Sequence, residues 1–231
     1  MFMRFGLRKL TLLDYPGVIA CTVFTCGCNF RCPFCHNPVL VTGKMDDLEY
    51  SFAEILEFLE FRGKRLDAVC ITGGEPLMHE DSMLLAQAAK ALGYRVKLDT
   101  NGSYPERLKE LVAENAVDFV AMDIKNSPEK YALTSGIKNW EKVRESVDFL
   151  KSGQVDYEFR TTVTGNLHER ADFVSIGKWL AGAKRYFLQG FKDSGMILAG
   201  DAAPFEVTDA ALETFLETVR VFVPAAAIRG R

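Results

Sequence analysis

Ala68-Val69-Cys70-Ile71-Thr72-Gly73-Gly74-Glu75-Pro76 is the stretch on which the fold of this chain turns. A short apolar run that stops at two glycines and a Glu-Pro reads as a strand entering a strand-to-helix turn. Outward from it the same unit recurs. Apolar runs at Ala20-Phe24, Val96-Asp99, Phe119-Asp123, Tyr157-Val163 and Arg185-Gln189 read as further strands. Amphipathic segments at Phe52-Phe61, Ser82-Leu92, Glu106-Asn115, Trp140-Ser152, His168-Leu180 and Ala210-Val221 read as helices. Ser51 followed by Glu54 supplies a capping box for the first of them. Strands alternating with helices predict an α/β fold with a parallel sheet. Six such units in 231 residues fall short of a closed eight-unit barrel, which takes about 250 residues. The expectation is a partial (β/α)6 TIM-like barrel with its helices outside. It forms one domain over residues 1–231, with a C-terminal helix and tail at about 207–231.

In such a sheet ligands gather at the carboxyl ends of the strands. The polar and glycine-containing clusters fall there. A cysteine loop trails the first strand, Gly73-Gly74-Glu75-Pro76 the second and Thr100-Asn101-Gly102 the third, while Asp123-Ile124-Lys125 ends the fourth. Four clusters on one rim predict a site.

Composition narrows the class. Hydrophobic and charged fractions of 48% and 26% are ordinary for a globular protein. A net charge of -3 gives no reason to expect nucleic-acid or anionic-lipid binding. Met1-Phe2-Met3-Arg4-Phe5-Gly6 lacks a signal-peptide core, and no apolar stretch is long enough to span a bilayer, so a cytoplasmic protein is expected. In a reducing compartment, six cysteines favour metal or redox chemistry over disulfides. Cys21 and Cys70 lie inside apolar runs and read as core thiols.

Cys28, Cys32 and Cys35 are spaced C-x3-C-x2-C. Three thiolates are one too few for a closed tetrahedral zinc site, and no second Cys pair follows downstream. His36 or Cys26 would have to complete a zinc set locally. The other reading is a four-iron, four-sulfur ([4Fe-4S]) cluster on three thiolates with one iron left open for a ligand.

C-x3-C-x-aromatic-C, with Phe34 as the aromatic, followed by the Gly-Gly-Glu-Pro strand end, resembles the radical S-adenosylmethionine (SAM) superfamily. That resemblance implies a [4Fe-4S] cluster on Cys28, Cys32 and Cys35, with SAM chelating the open iron. It implies reductive cleavage of SAM to methionine and a 5′-deoxyadenosyl radical, as a cofactor-borne reaction. Phe34 would lie against the adenine, unless it is loop packing. Gly73, Gly74 and Glu75 would hold the ammonium of SAM, the glycines letting backbone approach the ligand.

Leu98-Asp99-Thr100-Asn101-Gly102 and Met122-Asp123-Ile124-Lys125 resemble the glycyl-radical-enzyme activases more narrowly. That implies Asp99, Thr100 and Asp123 as oxygen ligands of a monovalent cation, and Lys125 as counter-ion to the SAM carboxylate. The alternative is that Asp99 and Asp123 merely end strands, and Arg160 reads equally as a ligand contact or an ordinary paired residue. Lys9-Leu10-Thr11-Leu12-Leu13-Asp14-Tyr15-Pro16-Gly17, with Thr25 to Phe30 and Cys35-His36-Asn37-Pro38, is similar to the anaerobic ribonucleoside-triphosphate reductase activating proteins. The implied partners are a glycyl radical enzyme such as anaerobic ribonucleotide reductase and an electron donor such as flavodoxin or ferredoxin. Cys26 departs from the Gln usual at its position and reads as tolerated. Two rival functions stand beside this one: a small-molecule radical SAM enzyme of the 7-carboxy-7-deazaguanine synthase kind, and a non-catalytic iron-sulfur or zinc protein.

Overall fold

A computed structural model describes residues 3–42, 49–193 and 195–230. Met1, Phe2 and Arg231, which the single-domain expectation includes, lie outside the described residues. Eight strands form one sheet in chain order: β1 (Gly6–Thr11), β2 (Ala20–Thr25), β3 (Ala68–Gly73), β4 (Arg95–Thr100), β5 (Phe119–Asp123), β6 (Asp156–Val163), β7 (Tyr186–Gly190) and β8 (Ala227–Ile228). β2 to β8 are parallel neighbours, and β1 runs antiparallel to β2. Among the described residues β1 and β8 are the two ends of the sheet and do not pair, so the barrel stays open.

The six predicted strands are β2 to β7. Sequence reading missed β1 and β8, for different reasons. Arg8, Lys9 and Leu10 are all exposed, so β1 has no buried face to imprint a period-two pattern. β8 is only two residues long.

The helices form the outer layer: α1 (Pro38–Thr42), α2 (Phe52–Arg62), α3 (Glu80–Ala91), α4 (Pro105–Ala113), α5 (Tyr131–Ser135), α6 (Glu141–Lys151), α7 (Arg170–Leu180) and α8 (Asp209–Arg220). Ser51 caps α2 through the expected box: its hydroxyl accepts from the Glu54 amide at 3.3 Å, and the Glu54 carboxylate accepts from the Ser51 amide at 2.7 Å. The short helices α1 and α5 are too brief to show a helical period in sequence. Among the described residues, no helix is long and apolar enough to cross a membrane.

Alternation along the strands sorts side chains to two faces. Val69 and Ile71, Val96 and Leu98, Val120 and Met122, and Tyr157 and Phe159 pack outward in one buried cluster with the helices. Ala20, Ala68, Cys70, Phe119 and Ala121 point inward and form a second cluster with Tyr15 and Val18 from the β1–β2 connection. That connection plugs the amino end of the barrel. The Tyr15 ring lies 5.6 Å from the Phe119 ring, and Asp14 accepts from the Thr22 hydroxyl at 2.6 Å. One step further up the same inward rows stand Thr72, Asp99, Asp123, Arg160 and Thr162, which line the cleft at the carboxyl end.

Candidate active site

The cleft at the carboxyl end of the sheet has a cavity volume of about 210 Å³. Its walls carry Cys28, Cys32, Phe34 and Cys35 from the loop after β2, and Gly73 and Gly74 from the end of β3. Asp99, Thr100, Asp123 and Lys125 complete them from the ends of β4 and β5. Of the expected site residues, only Glu75 does not reach the lining.

Backbone contacts hold the cysteine loop against the β3 end. Gly74 donates to the Thr25 carbonyl at 3.0 Å, and Glu75 donates to the Gly27 carbonyl at 2.8 Å. A Cβ on Gly74 would stand 1.9 Å from the Gly27 oxygen, and one on Gly73, whose φ is +128°, 2.3 Å from the Thr25 oxygen. The two glycines are therefore demanded by strand-to-loop packing, a tighter constraint than the ligand approach expected of them. His79 reinforces the loop by donating from Nε2 to the Cys26 carbonyl at 2.7 Å. From the other side the β7–α8 connection grips it: Leu198 donates to the Cys35 carbonyl at 3.2 Å and Ala199 to the Pro33 carbonyl at 2.9 Å.

Burial raises the thiol pKa of Cys28, and that of Cys32 to about 12, so loading iron on this loop must displace protons. Cys28 Sγ accepts from the Phe30 amide at 3.4 Å and faces the Asn101 side-chain nitrogen at 3.9 Å. Asn101 also donates to Asn29 at 3.0 Å, and Asn29 to the Ser103 hydroxyl at 2.9 Å. Sequence reading passed over this amide network, because Asn and Ser in a strand-end loop look like turn residues. Cys26 is buried away from the cleft, with its Sγ 3.6 Å from the Leu40 carbonyl.

Phe34 fits both readings offered for it. It lines the cleft, and its ring also packs 6.2 Å from Phe205. Phe205 continues to Phe191 at 5.8 Å, on which His36 stacks at 5.0 Å. Phe34 and His36 lie far in sequence from Phe191 and Phe205, so no local pattern announces the row.

Glu75 is wholly buried behind the cleft. Oε1 accepts from the Thr100 hydroxyl at 2.7 Å and the Leu77 amide at 3.1 Å, and Oε2 from the Asn101 amide at 2.7 Å. Burial pushes its pKa up to about 7, against the pull of those three donors. In this structure Glu75 ties β3 to the β4 end through Thr100 and Asn101, and its own side chain stands behind the cleft lining.

The charged residues form a ladder. Lys97 pairs with Asp99, whose Oδ2 lies 3.5 Å from the Arg160 guanidinium. Arg160 donates to Asp123 at 3.1 Å, and Lys125 to the other Asp123 oxygen at 3.0 Å. Burial alone would raise the Asp123 pKa; Lys125 and Arg160 override it and hold it at about 2. Arg160 is a paired residue that also lines the cleft.

Lys125 is fixed from below. His168 donates from Nε2 to the Lys125 carbonyl at 3.0 Å, while its Nδ1 accepts from the Thr164 amide at 3.1 Å. Both partners demand the neutral ring, and burial lowers its pKa accordingly.

Comparison with known families matches residues 22–179 to the Radical SAM superfamily, a span that takes in the cysteine loop and β3 to β6. The chain belongs to the radical SAM superfamily. A Methanocaldococcus jannaschii protein named for glycyl-radical enzyme activation is 31% identical over 202 residues, covering 81% of this chain and 79% of the relative. The pyruvate formate-lyase-activating enzyme of Listeria monocytogenes is 33% identical over 136 residues, 54% of each protein. The match thus takes in about half of the Listeria enzyme. Streptococcus suis SuiB bound to its precursor peptide SuiA superposes with a TM-score of 0.70 at 14% identity, over 89% of this chain and 47% of SuiB. At that identity the likeness is one of fold. This radical SAM chain is an enzyme of the glycyl-radical-enzyme-activase type, and its superfamily uses a four-iron cluster and SAM.

The residues present fit such a cluster. Three soft thiols line one cleft wall. Among the described residues, no three His, Cys, Asp or Glu side chains converge closely enough to share a single ion. A single zinc needs that convergence; a cluster, which seats each thiolate on its own iron, does not.

Proposed function

We propose that this radical SAM enzyme generates a glycyl radical on a partner enzyme of the anaerobic ribonucleotide reductase kind, in the cytoplasm, fed by a flavodoxin or ferredoxin. The observation that carries the reading is the convergence of Cys28, Cys32 and Cys35 with the Asp99–Arg160–Asp123–Lys125 ladder on one cleft. Cys28, Cys32 and Cys35 would hold three irons, leaving the fourth to SAM. Such a cluster would supply the electron for reductive cleavage of SAM, the chemistry needed to take hydrogen from a glycine Cα of the partner.

The protein's own part is binding and orientation. Lys125, anchored through Asp123 and His168, meets the SAM carboxylate as a fixed cation. Phe34 offers its ring to the adenine, and the Gly73–Gly74 edge presents backbone to the methionine part. Unpaired edges at β1 and β8 leave the barrel open at the side, which suits entry of a glycine-bearing loop. All of this fits one domain over 1–231.

The test is direct. Anaerobically reconstituted and reduced enzyme, mixed with SAM and the candidate reductase, is expected to give a glycyl radical signal by electron paramagnetic resonance. SAM cleavage with no protein radical would sink the assignment of that partner. A protein with no four-iron signal responsive to SAM would sink the enzymatic reading altogether.

A further inference from the structure

The structure assigns to Arg160 the position that the family resemblance gives to a monovalent cation: its guanidinium is the permanent positive charge between Asp99 and Asp123, and SAM binding requires no free cation. This rests on the cleft being the SAM site.

The argument starts from the oxygens a cation would need. Asp123 Oδ1 accepts from Arg160 Nε at 3.1 Å, and Asp123 Oδ2 from Lys125 at 3.0 Å. Asp99 Oδ1 is held by Lys97, and Asp99 Oδ2 faces Arg160 Nη1 at 3.5 Å. The Thr100 hydroxyl donates to Glu75 and accepts from the Gly102 amide at 3.1 Å. Every oxygen of the expected ligand set already has a donor. A bare alkali ion would have to compete for these oxygens with a buried lysine or arginine, and those hold the carboxylates by charge-assisted hydrogen bonds.

Arg160 is also freed for this position. Two residues earlier on the same inward row, Glu158 is the acid that could draw the guanidinium down into the barrel. Arg229, just beyond β8, takes both its oxygens at 2.6 and 2.7 Å. Inside the barrel Lys97, Arg160, Lys125 and Arg229 are each paired with Asp99, Asp123 or Glu158.

The test is SAM binding to reconstituted holoenzyme, measured at equal ionic strength in potassium chloride, sodium chloride and choline chloride. Wild-type affinity is expected to agree within about two-fold in the three salts, because no ion site is being filled. Arg160→Ala opens the space between the two aspartates. It is expected to bind SAM about ten-fold more weakly in choline and to recover in potassium or sodium, a loss typical of one charged hydrogen bond. If Arg160→Ala does not fold, Arg160→Gln serves for the same comparison. Wild-type binding that fails in choline and returns with potassium would overturn the proposal. So would an Arg160→Ala protein whose affinity stays at wild-type level in every salt. No SAM binding in any salt, with an intact cluster, would refute the SAM-site reading and this proposal with it.

Discussion

The two ends of the barrel are built from the same strands and differ within two residues. On β3 the inward row runs Ala68, Cys70, Thr72; on β5 it runs Phe119, Ala121, Asp123. The lower positions join Tyr15 and Val18 in an apolar plug, and the upper ones open onto the cleft. The plug has no polar work to do, and burial drives the Cys70 thiol well above its usual range. At the rim the polar atoms bond one another, fixing charge before any ligand arrives. The contrast separates residues that keep the barrel shut from residues that prepare it for chemistry.

The contrast breaks most visibly at the cysteines. Cys32→Ala is expected to abolish both the cluster and SAM cleavage, read as iron content and absorbance after anaerobic reconstitution. Cys70→Ala should keep both and lose about 1 kcal/mol of stability, the size of a small core truncation. Loss of the cluster in Cys70→Ala would erase the division between the two ends.

Tyr15→Ala tests the plug from the other side. Its ring packs on Phe119 with little exposure, so removal should cost roughly 3 kcal/mol in denaturant unfolding. The folded fraction is expected to load a normal cluster. Asp123→Ala should do the reverse, weakening SAM binding about ten-fold or more with cluster content unchanged. Unchanged SAM affinity would remove Asp123 from the site.

His168 sets a pH limit on the rim. Its folded pKa lies below the usual value of about 6.5. The unfolded chain then binds the extra proton first, so this contribution to stability is present above about pH 6.5 and is lost as pH falls below it. Melting temperature should drop more steeply below pH 6.5 in the wild type than in His168→Gln. Parallel pH profiles would show that the ring carries no such linkage.

Much of this was legible in the sequence, and the exceptions have physical causes. The apolar runs of β2 to β7 and the amphipathic helices showed their periods because each buries a definite face. The cysteine spacing and the strand-end Asp99 and Asp123 placed the rim, since turn chemistry is local. Partners were not legible. Glu75 holds Thr100 and Asn101, a pairing made by the approach of two strands and invisible in the sequence. Arg160 sits in phase with Glu158 and Thr162, so its inward direction could be read. That Arg229, close to the end of the chain, frees it by taking Glu158 could not.

Cys26 gives the smallest expected effect and the sharpest check on the cysteine loop. It lies two residues before Cys28, a proposed cluster ligand, and closer to it in sequence than Cys32 is. Its thiol nonetheless points to the Leu40 carbonyl, outside the cleft, while its own carbonyl is held by His79. The backbone bond survives truncation of the side chain. Cys26→Ala should therefore load a full cluster and lose no more than about 1 kcal/mol, a methyl-sized core loss plus one weak sulfur hydrogen bond. His79→Ala, which removes the donor to that carbonyl, should lower cluster yield more than Cys26→Ala does. If the order is reversed, the loop is held by its thiol and the backbone anchoring described here is wrong.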